Sequence, residues 1–297
     1  MTDSNAEFWA QKIDSGAFGS DHWLSIPFVH AWYNYLATGV PGSAFYIHWP
    51  RLLAPNGGKI LSLGCGAGAM EFDIVRALPF RCVGVDLSSS LVENANQQAG
   101  SEGLSEQLKF VSGNLNTWEF AQNFDEPFDL VIFNMSLHHV EDIELCLSSA
   151  RNALKPDGSL IVNEYVGPNH FKFEESTARV CRAIFSSLPD EVRRTVEDPT
   201  LRIDRLALPD FREVRRVDPS EAVRSSEIVE ALEATFSIHT DRILPGTFLQ
   251  FGLNRIAGNF AAEHHQPLIR WICELEFELM REGVLPVDCR LLVGSLK

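Results

Sequence analysis

Residues 61–68, LSLGCGAG, place three glycines at alternate positions directly after the short apolar run Lys59–Leu63. Glycine lets the backbone turn tightly and lets a ligand approach it closely. The next segment, Glu71–Leu78, has the hydrophobic spacing of a helix, and the first amide groups of a helix have no partners inside it. The sequence therefore predicts a strand, a glycine turn and a helix, with the turn as a ligand-binding element.

A carboxylate ends the next predicted strand, Cys82–Asp86. Asp86 comes about 20 residues after the first glycine, a spacing at which a carboxylate can accept both hydrogen bonds of a ribose diol. Three interpretations fit the glycines: the dinucleotide pattern G-x-G-x-x-A over Gly64, Gly66 and Ala69, the pattern G-x-G-x-G ending at Gly68, and a tight turn without a ligand. The glycine turn alone does not decide between these three interpretations.

The middle of the chain alternates apolar runs with helical patterns, which is typical of parallel β/α units. Near-continuous apolar runs indicate strands that are covered on both faces. We expect further strands at Leu108–Ser112, Phe128–Asn134 and Ser159–Val166, and helices at Ser90–Ala99 and Glu144–Leu154, the latter ended by the turn Lys155–Gly158.

Four segments in order, LSLGCGAG, VGVDLS, FDLVIFNMSLHHV and LKPDGSLIV, resemble the motifs of class I S-adenosylmethionine (SAM)-dependent methyltransferases over about residues 58–166. Dehydrogenases do not contain the last two of these four segments. The resemblance implies an α/β fold, a doubly wound, mostly parallel seven-stranded sheet with an antiparallel last strand. It places the last two strands at Ser237–Arg242 and Cys289–Gly294, with helices expected at Gln250–Ala262 and Pro267–Arg281.

Two regions lie outside this pattern. Residues 1–56 are rich in aromatic residues and predict an N-terminal helical lid, while residues 57–297 form the SAM-binding core. Residues 167–235 are too long for a simple connection and predict a helical insert between strands 5 and 6. We expect the lid and the insert to form the acceptor pocket.

The resemblance also implies which residues bind SAM as the cofactor. They are Gly64, Cys65, Gly66, Gly68, Asp86, Leu87, Asn114, Leu115 and Asn134. The chain departs from the family at Ser62, where many members carry an acid that contacts the methionine ammonium group. Glu71, in the first turn of the next helix, is an alternative source of that carboxylate; a plain helix-start acid is the other interpretation.

Candidate catalytic residues follow the strand ends at which open α/β sheets bind ligands. His138 and His139 come after the fourth strand and Glu164 ends the fifth, and some methyltransferases of this kind use a His and a carboxylate from these places. A histidine base would titrate near its usual pKa of about 6.5. Candidate substrate-binding residues are His30, Tyr33 and Tyr165, and helix packing is the alternative role for these side chains.

The composition of the chain limits the kinds of partner that it is expected to bind. The chain of 297 residues has 25 basic and 40 acidic residues, a net charge of −15, which disfavours nucleic acid or an anionic membrane as the main partner. No apolar run reaches the length of a membrane helix. Six scattered cysteines indicate buried thiols of a cytoplasmic protein. No metal site is predicted, because the fourth strand ends in Asn134 where metal-dependent O-methyltransferases carry Asp.

The sequence thus predicts a SAM-dependent methyltransferase for a small or medium-sized soluble acceptor, with O-, N- and C-methylation open. Two alternatives remain: a SAM-binding protein or SAM-fold enzyme that does not methylate, and a protein or peptide methyltransferase. The oligomeric state is open, with a homodimer as one option.

Overall fold

A computed structural model describes residues 22–117 and 124–297. A seven-stranded sheet lies at its centre in the order β3-β2-β1-β4-β5-β7-β6. β7 runs antiparallel to both of its neighbours, and the other pairs are parallel. The strands are β1 (Gly58–Leu63), β2 (Phe80–Asp86), β3 (Leu108–Ser112), β4 (Phe128–Asn134), β5 (Leu154–Tyr165), β6 (Phe236–Leu244) and β7 (Cys289–Leu296). The predicted sheet and its antiparallel last strand are confirmed.

Helices cover both faces of the sheet. They are α1 (Pro27–Thr38), α2 (Phe45–Leu53), α3 (Ala69–Ala77), α4 (Ser89–Ser101), α5 (Ile143–Ala153), α6 (Glu175–Ser187), α7 (Phe211–Val217), α8 (Ile228–Thr235), α9 (Phe248–Gly252) and α10 (Gln266–Arg281). One apolar layer joins α1, α3, α4, α6 and α10 to the sheet, and a second joins α5 and α8 to its other face. Among the described residues, no helix is long and apolar enough to cross a membrane.

Two predicted elements differ from the structure. The helix expected over Gln250–Ala262 is broken: α9 ends at Gly252, and a separate 3₁₀ turn covers Ala257–Ala261. Arg255 between them has a φ of 70°, which a continuing helix does not allow. The expected turn Lys155–Gly158 lies within β5 and forms an irregularity in it. Phe128 of β4 pairs with Leu154, but Leu130, two residues later, pairs with Ser159, so the intervening residues of β5 bulge out of the register.

The N-terminal segment is anchored in the core where it is described. Pro27 opens α1 and Gly39, with a φ of 76°, follows its end. Val29 and Ala37 are fully buried, so α1 is part of the apolar layer on that face. Residues 1–21 of the predicted lid lie outside the described residues, and the lid remains a prediction.

The segment between β5 and β6 returns to the edge where the parallel strands end. After α7, residues Asp218–Glu227 pack beside the turn that follows β4: the amide of Val223 donates to the carbonyl of His138 at 3.1 Å. The Arg224 guanidinium bonds both Glu144 carboxylate oxygens at 2.8 Å, at the start of α5. The insert therefore contributes directly to the surroundings of the predicted catalytic residues.

Candidate functional site

The glycine turn folds back over the end of β2. The amides of Gly64 and Cys65 both donate to the carbonyl of Val85, at 2.8 and 3.0 Å. The amide of Gly66 donates to Oδ2 of Asp86 at 2.8 Å. Gly64 and Gly66 have φ of 74° and 57°, and Gly68 before α3 has 82°, values that glycine adopts at little cost.

Asp86 is thereby held at the mouth of the turn. Its Oδ1 accepts the amide of Ser88 at 2.9 Å. Burial raises the pKa of this carboxyl, against the opposing effect of the amides of Ser88, Gly66 and Leu87. A carboxylate has about four acceptor positions, so Asp86 retains capacity for the two hydroxyls of a ribose. Leu87 follows, half-buried, at the same edge.

The loop after β3 closes the neighbouring side. The amide of Gly113 donates to the carbonyl of Asp86 at 2.9 Å, and the side chain of Asn114 accepts the amide of Asn116 at 3.0 Å. Leu115 packs against the apolar layer that contains α5. Asn116 Oδ1 in turn accepts the amides of Glu141 and Asp142, at 2.7 and 3.1 Å, which ties this loop to the start of α5.

Cys65 points away from the open side of the turn. A Cβ on Gly84 in β2 would lie 2.9 Å from its Sγ, so the thiol lies against the sheet. Burial is the main cause that raises its pKa well above the usual value. All six cysteines are free, and the other five are buried.

Ser136 connects the glycine turn to the predicted catalytic residues. A Cβ on Gly64 would overlap the Cβ of Ser136. The Ser136 hydroxyl donates to the carbonyl of Leu63 at 2.6 Å, and its amide donates to Oε2 of Glu164 at 2.9 Å. A single residue, Ser136, therefore lies between the glycine turn and Glu164.

Glu164 and His138 form a buried pair. The Glu164 side chain is completely buried; its Oε2 also accepts the amide of Leu137 at 2.7 Å, and its Oε1 accepts its neighbour's amide, that of Tyr165, at 2.7 Å. The same Oε1 contacts Nδ1 of His138. Three amides thus fix the carboxylate, and the carboxylate fixes the imidazole, as in sites where a carboxylate orients a histidine.

The insert supplies a second carboxylate that the sequence did not reveal. Oε1 of Glu221 lies 3.4 Å from Nε2 of His138. Burial lowers the pKa of His138, but the two carboxylates outweigh it and raise the pKa to about 10. These carboxylates favour the protonated imidazole, so its pKa lies above the usual value near 6.5 that the sequence led us to expect. No motif marks Glu221, because its proximity depends on how the insert folds back.

His139 has a different environment. Its Nδ1 is 3.2 Å from the hydroxyl of Ser220, which donates to Asp218 at 2.7 Å. Burial and the charge of His138 lower the pKa of His139 to about 4, so it is neutral. Donor atoms of His138, His139 and Glu221 lie within 4.8 Å of one another, a spacing that could hold a metal ion. The absence of a metal expected from the sequence stays a prediction at this site.

The predicted substrate-binding residues separate into two groups. Tyr33 is buried, and its hydroxyl donates to Asn163 in β5 at 2.6 Å; Asn163 donates to Asn134 at 2.9 Å. Tyr165 is buried near His138, with ring centroids 6.3 Å apart. His30 is exposed, and its Nε2 lies 3.2 Å from the side-chain nitrogen of Asn34 on the same helix, so the structure does not bring it to the site.

Strained backbone surrounds the pair. Of the five described non-glycine residues with positive φ, four flank this edge: Met135, His170, Phe171 and Ala222, at 51–56°. The amide of His170 donates to the carbonyl of Ala222 at 2.8 Å. Each such residue costs about 1–3 kcal/mol, and such strain is often found at functional sites.

Comparisons with known proteins agree with this geometry. Residues 55–201 match the family model described as a methyltransferase domain. These residues form a class I SAM-dependent methyltransferase domain. A sterol 24-C-methyltransferase of Gibberella zeae is 34% identical over 37% of this chain and 28% of its own length. A ubiquinone biosynthesis O-methyltransferase of Bartonella bacilliformis is 32% identical over 38% of this chain and 44% of its own length.

Among solved structures, phosphoethanolamine N-methyltransferase 2 of Haemonchus contortus in complex with SAM superimposes with a TM-score of 0.54 at 16% identity. The match covers 97% of this chain and 60% of that one, and supports the class I methyltransferase fold. The chain spans 28%, 29% and 51% of the length of three curated relatives it matches. The relatives' names include C-, O- and N-methyltransferases, so the family does not fix the acceptor atom.

Proposed function

We propose that this chain transfers the methyl group of SAM to a small or medium-sized acceptor between the glycine turn and His138. The observation that carries the proposal is Ser136, which packs on Gly64 and donates its amide to Glu164. A donor held by the turn and an acceptor held at the His138–Glu164 pair would be adjacent. Holding two reactants in this way supplies much of the rate of a displacement.

The chemistry is a displacement at carbon. The acceptor's nucleophilic atom forms a bond to the methyl carbon as the bond from that carbon to sulfur breaks, and sulfur leaves as the neutral thioether. In this proposal the glycine turn holds the methionine part, Asp86 the ribose, and Leu87 with the loop around Asn114 the adenine. Asn134, which ends β4 next to the turn, lies beside the methionine part.

His138 and the two carboxylates supply the proton chemistry of this proposal. Without a substrate, Glu221 occupies the Nε2 side of the imidazole and helps to keep it protonated. An acceptor hydroxyl that displaces Glu221 removes one of the two carboxylates, and the pKa of His138 falls. In this proposal the displaced Glu221 carries the Nε2 proton of His138 to solvent, and the neutral imidazole then accepts the hydroxyl proton at Nε2 while Glu164 accepts the Nδ1–H. An oxygen acceptor is therefore the form of the reaction that uses this geometry best.

A direct experiment tests the proposal. The purified chain is incubated with SAM and a panel of phenols, alcohols, thiols, amines and a peptide library, and S-adenosylhomocysteine and methylated products are measured by mass spectrometry. Acceptor-dependent turnover is expected with small hydroxyl compounds. SAM binding without any product would favour a binding protein or non-methylating enzyme, and product only from the peptides would favour the peptide methyltransferase alternative.

A matched pair of histidine variants locates the activity. His138→Gln should abolish most of the turnover, while His239→Gln, at an exposed position in β6, should leave it unchanged. Equal activity of both variants would remove His138 from the mechanism.

A further inference from the structure

One oxygen of a buried carboxylate lacks a partner beside Tyr165. Asp288 directly precedes β7 and is fully buried. Its Oδ2 accepts the hydroxyl of Thr247 at 2.5 Å, whereas its Oδ1 has no hydrogen bond to any residue in the described parts of the chain. A Cβ on Gly167 would lie 2.5 Å from this Oδ1 and 2.5 Å from the hydroxyl oxygen of Tyr165, so these two oxygens are at most about 5 Å apart. The unpartnered oxygen therefore lies next to the ring that packs near His138.

The titratable groups around Asp288 do not balance its charge. Burial raises the pKa of Asp288 to about 6, and the hydrogen bond from Thr247 opposes this rise, so the carboxyl is largely ionised above pH 7. Its neighbours Tyr165, Cys181 and Cys289 are neutral there, because burial raises the pKa of each and the nearby carboxylate raises it further. Burying a charged group without a compensating partner is costly. The position is therefore suited to a cationic hydrogen-bond donor that arrives with a ligand.

Aromatic rings connect the surroundings of Asp288 with those of His138. The ring centroid of Tyr165 lies 6.3 Å from that of His138 and 4.9 Å from that of Phe171, and Phe171 lies 5.0 Å from Phe251. Phe171 and Phe251 are half-buried, so this ring cluster reaches the surface. Aromatic faces attract cations. The cluster and the carboxylate thus favour the same kind of ligand group.

We propose that Asp288 is a substrate-binding residue whose Oδ1 accepts a hydrogen bond from a protonated amino group of the methyl acceptor. The acceptor is then a hydroxyl compound with an amine at its other end, separated by an apolar or aromatic spacer that packs on Tyr165. This inference rests on the proposed function, because it takes the hydroxyl group to be held at His138. A quaternary ammonium group does not fit, since it has no N–H for the unpartnered oxygen.

An amine bound in this way is not the atom that is methylated. A carboxylate next to an amine favours its protonated form, and a protonated nitrogen has no lone pair with which to attack the methyl carbon. The hydroxyl oxygen therefore receives the methyl group while His138 takes the hydroxyl proton. Asp288 selects the acceptor by its charge and takes no part in the transfer itself.

Matched pairs of ligands test this contact in the unmodified chain. Tyramine is compared with tyrosol, which has the same phenol but a hydroxyl in place of the ammonium group. Amino alcohols of two to eight carbons are compared with the diols of the same length. Binding is measured by calorimetry at pH 7.5, with and without S-adenosylhomocysteine. We expect tyramine, or the amino alcohol of the best length, to bind about 10- to 100-fold more tightly than its neutral counterpart, the size of a charge-assisted hydrogen bond.

Variants locate the preference for the ammonium group. Asp288→Asn keeps the shape and should remove the preference, while Asp157→Asn, at an exposed position, should leave it unchanged. Phe251→Leu changes a half-buried ring and leaves the buried carboxylate in place. It should weaken the ammonium ligands about two- to fivefold and leave the neutral ligands unchanged.

Three outcomes would overturn the inference. They are equal binding of the ammonium and neutral ligands by the unmodified chain, a preference that persists in folded Asp288→Asn, and no binding of any ammonium compound of the series. A product methylated on nitrogen would also contradict it. Failure of the proposed function is distinguishable, because the unmodified chain would then form no methylated product from SAM, whereas the ligand preference is measured without turnover.

Discussion

Gly64 and Ser136 lie so close that a Cβ on the glycine would overlap the Cβ of the serine. The contact joins the turn after β1 to the turn after β4. It makes the first glycine of the motif a packing requirement as well as a conformational one, since its φ of 74° already favours glycine.

Gly64→Ala should therefore lower the free energy of unfolding by more than left-handed backbone strain alone would lower it. Gly103 provides the matched control, because its φ of 70° is similar and a Cβ added there would meet no atom within 4 Å. Gly103→Ala should cost about 1–2 kcal/mol of unfolding free energy. Gly64→Ala should cost clearly more and should weaken SAM binding, as measured by urea unfolding and calorimetry. Equal unfolding free energies for the two variants would show that Ser136 can move away from the added methyl group without a loss of stability.

Asp86→Ala should lower SAM affinity about tenfold or more, because it removes charge-assisted hydrogen bonds worth about 1.5–3 kcal/mol. The structure adds a second cause, since Oδ2 of Asp86 also holds the amide of Gly66. Asp86→Asn keeps an acceptor for that amide and should lose less affinity than Asp86→Ala. Calorimetry with SAM measures both, with the exposed Asp157→Ala as control. Unchanged affinity in Asp86→Ala would reject the ribose contact.

The ionisation of His138 should occur far above the usual range for histidine. NMR of ¹⁵N-labelled imidazole should show it protonated at pH 7 and titrating near 10. Because the folded pKa exceeds the unfolded one, the pair stabilises the protein fully below about pH 6.5, and this contribution is lost as pH rises through about 10. Glu221→Gln should lower the pKa of His138. A midpoint near 6.5 in the unmodified chain would contradict the role assigned to the two carboxylates.

Once an acceptor is known, His138→Ala or Glu164→Gln should lower kcat about 10²–10⁴-fold, the usual contribution of a general base, with SAM affinity nearly unchanged. The acceptor complex of the unmodified chain should show a rate that rises with pH through a lowered His138 pKa. Kinetically silent substitutions would mean that alignment alone drives the reaction. Loss of folding or of SAM binding would instead make the two residues structural.

Removal of residues 1–21 should reduce turnover if the lid prediction holds. A cut at residue 36 is a poorer test, because Val29 and Tyr33 are buried against the sheet and their loss would expose it. The shorter truncation should retain the melting temperature and lose activity by a rise in KM for the acceptor. Full activity after truncation would show that this segment is not a lid.

The parts that were predictable from sequence are those that local patterns determine. β3 and β4 have the expected bounds because each is a short apolar run between polar turns. The prediction of one helix over residues 250–262 was wrong because Arg255 has a positive φ, which the local sequence pattern does not indicate. The contact of Glu221 with His138 could not be predicted, because it joins two loops whose meeting depends on the path of the insert.

The bridge made by Asn116 has a kinetic consequence. Its side chain accepts the amides of Glu141 and Asp142, which follow directly on the turn that carries His138. A methyl donor whose adenine settles against the loop after β3 would thereby immobilise that turn before any acceptor arrives. We expect an ordered sequential reaction in which SAM enters first and S-adenosylhomocysteine leaves last, so that the spent cofactor inhibits competitively against SAM and noncompetitively against the acceptor.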